Sequence, residues 1–320
     1  MEYGFAAEKH RIFPPMLVVS IVNFCNLRCI HCYSPKFEQS EGYKRTEMSW
    51  EIWTKVCDEM AQFPWSILNL GTDGEPLLHS RFLDMMRYAK KKGIYPINIT
   101  SNGQKLSKKI SEPIIKERLL DVINISLDAF TEETYKKIRG GNMKRVLDNV
   151  HHLIELRNTH APDIKIQVNI IDQPEAEKEL EAFKAYWQPK VDNILVRPYY
   201  DATSVTGSVG GNITGKQKIA SDVERWPCQL FWRRLTICED GQFCFCIDDW
   251  HNKSEIGNIN RTSIKDIWQG DTYETLRDHH INRRFSSVSY CSECTEWEGM
   301  RWDYDYFLAM EKMLGKNLLE

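Results

Sequence analysis

Three cysteines fall within eight residues, Cys25, Cys29 and Cys32, at the spacing C-x3-C-x2-C. Thiolates crowded this closely suit a soft-metal centre. An iron–sulfur cubane normally takes four cysteines, so three from one loop leave one iron open to a small molecule. Zinc with an open fourth position uses the same donor type, and three reduced structural thiols are the plain alternative. A second set lies far downstream. Cys228 is followed by twelve residues, Gly241, four more residues and Cys246, and then by Cys291-Ser-Glu-Cys294. Two separated pairs are a metal signature, and as a bare pattern they fit a four-cysteine zinc site as well as iron. Of the other cysteines, Cys57 lies on an apolar helical face and reads as a small hydrophobe. Cys238 and Cys244 read as buried hydrophobes. Cys244 and Cys246 are two apart on a strand, which points them the same way and makes them competing ligands.

The elements that must position these groups alternate along the chain. Short apolar runs read as strands at residues 16–22, 67–70, 95–100, 121–127, 164–171 and 193–197. Helical patterns lie between them: one after the cap Ser49, one ending at Gly93, then about 105–118, 131–139 and 142–158, and one through Leu180, Phe183 and Trp187. Continuous apolar strands alternating with helices predict an α/β fold with a parallel sheet and right-handed crossovers. Sites in such folds gather at the C-terminal strand ends. The cysteine loop, Gly74-Glu75, Ser101-Asn102 and Ser126-Leu-Asp128 all lie there. Residues 206–227 are rich in Gly, Ser and Thr and read as a linker. They divide a unit at 1–205 from a smaller one at 228–320, which holds a predicted helix at about 264–280.

At 320 residues, with 42% hydrophobic and 27% charged residues, the chain has the composition of a folded globular protein. A net charge of −3 gives no basic bias toward nucleic acid. No apolar run approaches the roughly 20 residues of a membrane span, and no signal-peptide pattern opens the chain. The expectation is a cytoplasmic, reducing setting in which ten cysteines serve metals rather than disulfides.

The cysteine loop resembles the signature of the radical S-adenosylmethionine (SAM) enzymes, with Tyr33 after the last cysteine and His31 before it as the family's rings. The resemblance implies a partial (β/α)6 barrel. It also implies a [4Fe-4S] cluster whose open iron is chelated by SAM, which one electron cleaves to methionine and a 5′-deoxyadenosyl radical. Asp73-Gly74-Glu75-Pro76 is similar to the family's G-G-E-P segment, with Asp73 in place of the first glycine, and implies that Gly74 and Glu75 meet the cosubstrate ammonium. By the same resemblance Ser101 and Asn102 face the ribose or carboxylate, Ser126 the ribose, and Arg139 the carboxylate. Arg139 has the alternative of capping the helix that Gly140 ends. The second cysteine set, Ile256-Gly-Asn-Ile259 and the Ile267-Trp268 helix resemble the family's SPASM/twitch extension. Since Glu298–Glu320 holds no cysteine, the match is to the short twitch form. That form implies one auxiliary [4Fe-4S] cluster on Cys228, Cys246, Cys291 and Cys294, a spacing similar to that of 2-deoxy-scyllo-inosamine dehydrogenases.

The resemblance further implies hydrogen abstraction from a small polar substrate such as a sugar, aminocyclitol or nucleotide sugar. Oxidation of a hydroxyl to a ketone, with the auxiliary cluster taking the electron, is the leading expectation. Epimerisation through Cys238 or Cys244 and maturation of a peptide are the alternatives. Arg197, with Tyr199, Tyr200 and Asp201, closes the last barrel strand as a candidate substrate contact, or sits in a rim salt bridge. An external one-electron reductant such as flavodoxin or ferredoxin is required. The aromatic run at Trp297–Phe307 reads as the apolar face of a packed helix or as a cap on the pocket.

Overall fold

The computed structural model describes residues 3–318 except 72, 199–223, 247–253, 293, 295, 296, 298–301 and 303–305. Among the described residues nine strands form one sheet: β1 (Met16–Val19), β2 (Ile67–Leu70), β3 (Ile97–Ser101), β4 (Val122–Ser126), β5 (Lys165–Asp172), β6 (Asn193–Pro198), β7 (Leu235–Ile237), β8 (Gln242–Cys244) and β9 (Glu255–Asn258). Their order is β6-β5-β4-β3-β2-β1-β7-β8-β9. The first six pair in parallel, each next to its sequence neighbour. Intervening helices include Trp50–Met60, Phe82–Lys91, Lys108–Lys116, Glu132–Arg139, Met143–His160 and Leu180–Trp187. This is the expected six-stranded β/α half. The Ser49 side chain caps the first of these helices by accepting from the Ile52 N–H, 3.2 Å away.

Alternation along the strands sorts side chains to two faces. Leu17, Val19, Leu68, Leu70, Ile123 and Ile125 face the helices and join the main core. Met16, Val18, Ile67 and Val122 face the other way, where they meet Phe307, Met310 and Met313 of the helix Tyr306–Leu314. That helix closes the N-terminal end of the barrel interior. One step along, the interior turns polar. Asn98 donates to Asn69 at 2.8 Å, Asn169 to Asn124 at 3.0 Å and Asn124 to Thr100 at 3.3 Å. A floor of apolar side chains and an amide layer thus lie beneath the C-terminal strand ends.

The strands of the smaller unit extend the same sheet: β7 pairs in parallel with β1, Leu17 against Leu235, and β8 and β9 follow antiparallel. One expectation needs correction. The helix expected at 264–280 is two helices, Ile264–Gln269 and Asp271–Ile281, parted at Gly270. Gly270 is extended, and a side-chain Cβ there would come within 2.8 Å of the Asp266 carbonyl. Most of the 206–227 linker, together with Tyr199, Tyr200, Asp201 and Tyr304, lies outside the described residues. No helix among the described residues is long and apolar enough to cross a membrane.

Candidate active site and auxiliary metal centre

The cysteine loop leaves β1 at the C-terminal end and is clamped from three sides. On one side Gly74, at φ +68°, packs so closely that a Cβ would lie 2.4 Å from the Phe24 carbonyl. The neighbouring Glu75 N–H donates to that carbonyl at 2.9 Å. On the opposite side the Ile30 N–H reaches the Ile138 carbonyl at 2.9 Å. From within, Glu38 accepts from the Cys25 N–H (3.0 Å), the Ser34 hydroxyl (3.1 Å) and Arg28 (2.9 Å). Glu38 was not among the sequence candidates. Its signal was local, an acid four residues after Ser34 on a helical turn.

Burial favours the neutral form of all three thiols. Burial, then the Glu75 charge, pushes Cys25 up to about 11. Burial and the neighbouring Cys29 push Cys32 up to about 12, and burial raises Cys29. Metal binding must displace these protons. Backbone N–H groups already aim at two of the sulfurs, Leu27 at Cys25 and Ser34 at Cys32, each at 3.4 Å.

Around the loop the strand ends supply polar groups. Glu75 is buried and accepts from the Ser101 hydroxyl (2.8 Å), the Asn102 N–H (2.7 Å) and the Leu77 N–H (3.2 Å). Its carboxylate therefore ties the end of β2 to the end of β3. Asn102 reaches the loop itself, 2.9 Å from Asn26 and 3.7 Å from the Cys25 sulfur. Ser126 accepts from Asn169 at 3.1 Å. Tyr33 is buried where the short helix Ser34–Phe37 begins. Asp128, which follows β4 in a left-handed conformation (φ +58°), belongs to the Ser126-Leu-Asp128 strand end but had been given no role of its own. Its carboxylate binds the Arg139 guanidinium, accepts from the Ile171 N–H at 2.9 Å and lies 3.6 Å from the His31 ring. Asp is one of the few side chains that tolerate this backbone region. Gly140 ends the helix in the left-handed conformation, as the sequence suggested. Arg139 points to Asp128, and its Nε–H is buried with no hydrogen-bond partner among the described residues. Arg197 is exposed on β6, near enough for its charge to act on His31.

The second cysteine set converges. Cys228, Cys246, Cys291 and Cys294 all line one hollow, together with Arg225, Phe231, Phe245, Tyr290 and Trp297. Burial and then its cysteine neighbours raise the Cys228 thiol, and burial followed by Cys294 pushes Cys291 up to about 12. Cys244 does not join them. Its sulfur lies 3.7 Å from that of Cys238, and both residues are buried. The expected shared direction of Cys244 and Cys246 fails because β8 ends at Cys244, with a register shift at Phe243/Cys244. The two-residue alternation stops there.

Comparison with known proteins decides the family. Residues 19–185, just over half of the chain, match the radical SAM superfamily. The chain belongs to that superfamily. Residues 228–295 match the SPASM iron–sulfur cluster-binding domain. Among curated relatives of this radical SAM protein is a tungsten-containing aldehyde ferredoxin oxidoreductase cofactor-modifying protein of Pyrococcus furiosus, 25% identical with 86% of each chain covered. A GTP 3',8-cyclase of Limosilactobacillus fermentum is 38% identical over 48% of this chain and 45% of its own. The chain thus spans about half the length of the cyclases it matches. Among solved structures, SuiB of Streptococcus suis bound to S-adenosylmethionine superposes with a TM-score of 0.69 at 16% identity, covering 90% of this chain and 74% of SuiB. BtrN in complex with AdoMet and 2-DOIA gives 0.57 at 15% identity, covering 92% and 94%. These structures share the fold.

The radical SAM domain carries a [4Fe-4S] cluster and SAM, and the SPASM domain carries an auxiliary iron–sulfur cluster. The donor chemistry fits both. One site offers three thiols beside an orphaned guanidinium N–H, and the other offers four thiols in an aromatic-lined hollow. Among the described residues no three His, Cys, Asp or Glu side chains converge on a single-ion centre. A cubane instead takes each thiolate at a separate iron corner.

Proposed function

We propose that this radical SAM protein removes a hydrogen atom from a small polar substrate, a sugar, aminocyclitol or nucleotide sugar, and oxidises its hydroxyl to a ketone. One observation carries the reading: a three-thiol loop at the barrel mouth and a separate four-thiol hollow occur in the same chain. When bound, the two clusters and SAM supply a 5′-deoxyadenosyl radical for hydrogen abstraction and an acceptor for the electron left on the substrate.

The chain's own residues do the rest. Cys25, Cys29 and Cys32 hold the first cluster, and Cys228, Cys246, Cys291 and Cys294 the auxiliary one. Gly74 lets the β2 turn press against Phe24 and so fixes the height of the loop. Glu75 acts through the backbone it braces, presenting Ser101 and Asn102 toward Cys25. The Nε–H of Arg139 is the donor left for a carboxylate once Asp128 has taken the other side of its fork. Tyr33 shields the loop, Ser126 lines the mouth beside Asn169, and Arg197 reaches a substrate at the exposed rim. Flavodoxin or ferredoxin fits as the electron donor.

A second reading, radical epimerisation, is favoured by the Cys238–Cys244 pair at 3.7 Å, since a thiol can return a hydrogen to the opposite face of a substrate radical. Deuterium separates the two. The oxidation reading predicts substrate deuterium in 5′-deoxyadenosine, a ketone product and no solvent hydrogen at the reacting carbon. A solvent-derived hydrogen there, lost in Cys238→Ala or Cys244→Ala, would establish epimerisation instead. Stimulation of 5′-deoxyadenosine formation by a peptide and not by sugars would replace both with peptide maturation.

A further inference from the structure

The auxiliary hollow is walled mostly by thiols and apolar side chains, and Arg225 brings a fixed positive charge to its lining. The guanidinium carbon lies 4.2 Å from the centre of the Phe285 ring and 5.9 Å from that of Trp297. Ring faces hold a cation in place without neutralising it. The adjacent acid, Glu224, is taken by Arg283, and no Asp or Glu is among the described residues that line the hollow. The Nε–H of Arg225 is buried with no hydrogen-bond partner among the described residues. An unmet N–H on a charged group is costly, and such a group in a native fold calls for a reason.

A second lining residue repeats the pattern. His280 accepts the Cys228 N–H at its Nδ1, 3.2 Å away. That bond leaves the proton of the neutral ring on Nε2, and Nε2 is also buried without a partner among the described residues. The hollow that gathers four thiols therefore holds two N–H donors in reserve, one of them on a cation whose charge reaches Cys228 and Cys291. A cubane on four thiolates is anionic and becomes more so when it gains an electron. Its potential responds to the charge and the hydrogen bonds around its sulfurs. The loop site differs on this point, because Arg139 shares its charge with Asp128.

We propose that Arg225 sets the reduction potential of the auxiliary cluster, its unneutralised guanidinium favouring the state that carries one electron more. The proposal rests on the reading of that cluster as acceptor of the substrate's electron, and deepens it. In that reading the substrate radical gives one electron to the cluster and its hydroxyl proton to water. The hollow then gains one negative charge, and Arg225 compensates it. Arg139, already neutralised by Asp128, gives the loop cluster no equal compensation and leaves it the stronger reductant.

The test reads the potential itself. Full-length protein with both clusters loaded is titrated with dithionite and followed by electron paramagnetic resonance, without SAM or substrate. The full-length variant with Cys25, Cys29 and Cys32 all changed to Ala shows which signal belongs to the auxiliary cluster. Arg225→Gln removes the charge and keeps a polar side chain, whereas Arg225→Lys keeps the charge. In Arg225→Gln the equilibrium constant for one-electron reduction of the auxiliary cluster should fall at least tenfold, about 59 mV for such a couple. In Arg225→Lys it should stay within threefold of the wild type. Iron content and the potential of the loop cluster should not change in either. An unchanged constant in Arg225→Gln would overturn the proposal. So would an equal fall in Arg225→Lys, because the charge would then not be the cause. Loss of about four irons per chain from both variants would overturn it by assigning Arg225 to assembly of the site. No substrate is present, so the result is independent of the acceptor reading, which the deuterium experiment decides separately.

Discussion

The two cysteine sites of this radical SAM protein differ in donor count and in surroundings. The loop site offers three thiols and is ringed by polar side chains: Asn102 at Cys25, Glu75 beneath it, and Asp128, Arg139 and His31 alongside. The second site offers four thiols and is walled largely by Phe231, Phe245, Tyr290 and Trp297. Three thiols leave a cubane with one iron for an outside ligand, and the polar ring gives that ligand partners. Four thiols saturate a cubane, and aromatic walls offer a bound molecule little to hold. The first arrangement suits binding and cleavage, and the second suits holding an electron. A shared sheet joins the two, since β1 leads into the loop while β8, antiparallel to β1's neighbour β7, leads into Phe245 and Cys246 of the second hollow.

The comparison breaks most severely at Gly74. Gly74→Ala forces a Cβ into the Phe24 backbone at a positive φ. The expected cost is more than about 2 kcal/mol of stability, since backbone strain and steric overlap add. Iron content, followed with a chemical melt, should show the loop cluster lost while the second site's iron remains. Loss of iron from both sites alike would mean that they do not assemble independently.

Cys291→Ala sharpens the comparison from the other side. Iron should fall by about four per chain, one cubane's worth, while the electron paramagnetic resonance signal of the reduced loop cluster still shifts on adding SAM. Disappearance of that shift would make the auxiliary site a structural requirement of the first.

Asp128→Asn has a smaller expected effect. It weakens the latch on Arg139 and removes the charge beside His31, so cosubstrate affinity should change several-fold, read by dialysis, with iron content unaltered. An unchanged affinity would assign the Asp128–Arg139 pair to structure alone.

A further effect, on stability alone, concerns Glu239, in the turn between β7 and β8. Burial, then the nearby carboxylates of Asp240 and Asp73, pushes it up to about 7, while a 2.7 Å bond from Asn23 opposes the shift. The folded protein therefore holds this proton where the unfolded chain has released it. The contribution of Glu239 to stability is complete below its ordinary carboxylate range and is lost as pH rises through that range to about 7. Glu239→Gln should be more stable than wild type at pH 8, by about 1–3 kcal/mol, and no more stable at pH 4. Equal stabilisation at both pH values would rule out the buried charge as the cause.

Much of this site could be read from the chain because its parts are local. Each strand-end motif follows an apolar run of strand length, and the loop cysteines lie within eight residues. The Ser49 cap and the Gly140 stop act within one turn of helix. What escaped reading depends on distant partners. Nothing near Leu235 marks it as the parallel neighbour of Leu17, and nothing near Cys244 shows that Cys238, not Cys246, shares its surroundings. Gly270 looked like an ordinary residue within a helical pattern until its closeness to Asp266 set the break. Asp128 was legible as part of a strand end, but its partners Arg139 and His31 appear only when the barrel brings them together.

The central claim, two separate clusters with distinct roles, is tested most directly by counting metal. Iron, acid-labile sulfide and zinc are measured in protein purified without oxygen, for wild type and for a variant with Cys25, Cys29 and Cys32 all changed to Ala. The account predicts about eight irons per chain falling to about four, with sulfide in step and no zinc. About four irons falling to none, with one zinc retained, would contradict it, because the second hollow would then be a structural zinc site with no capacity to accept an electron.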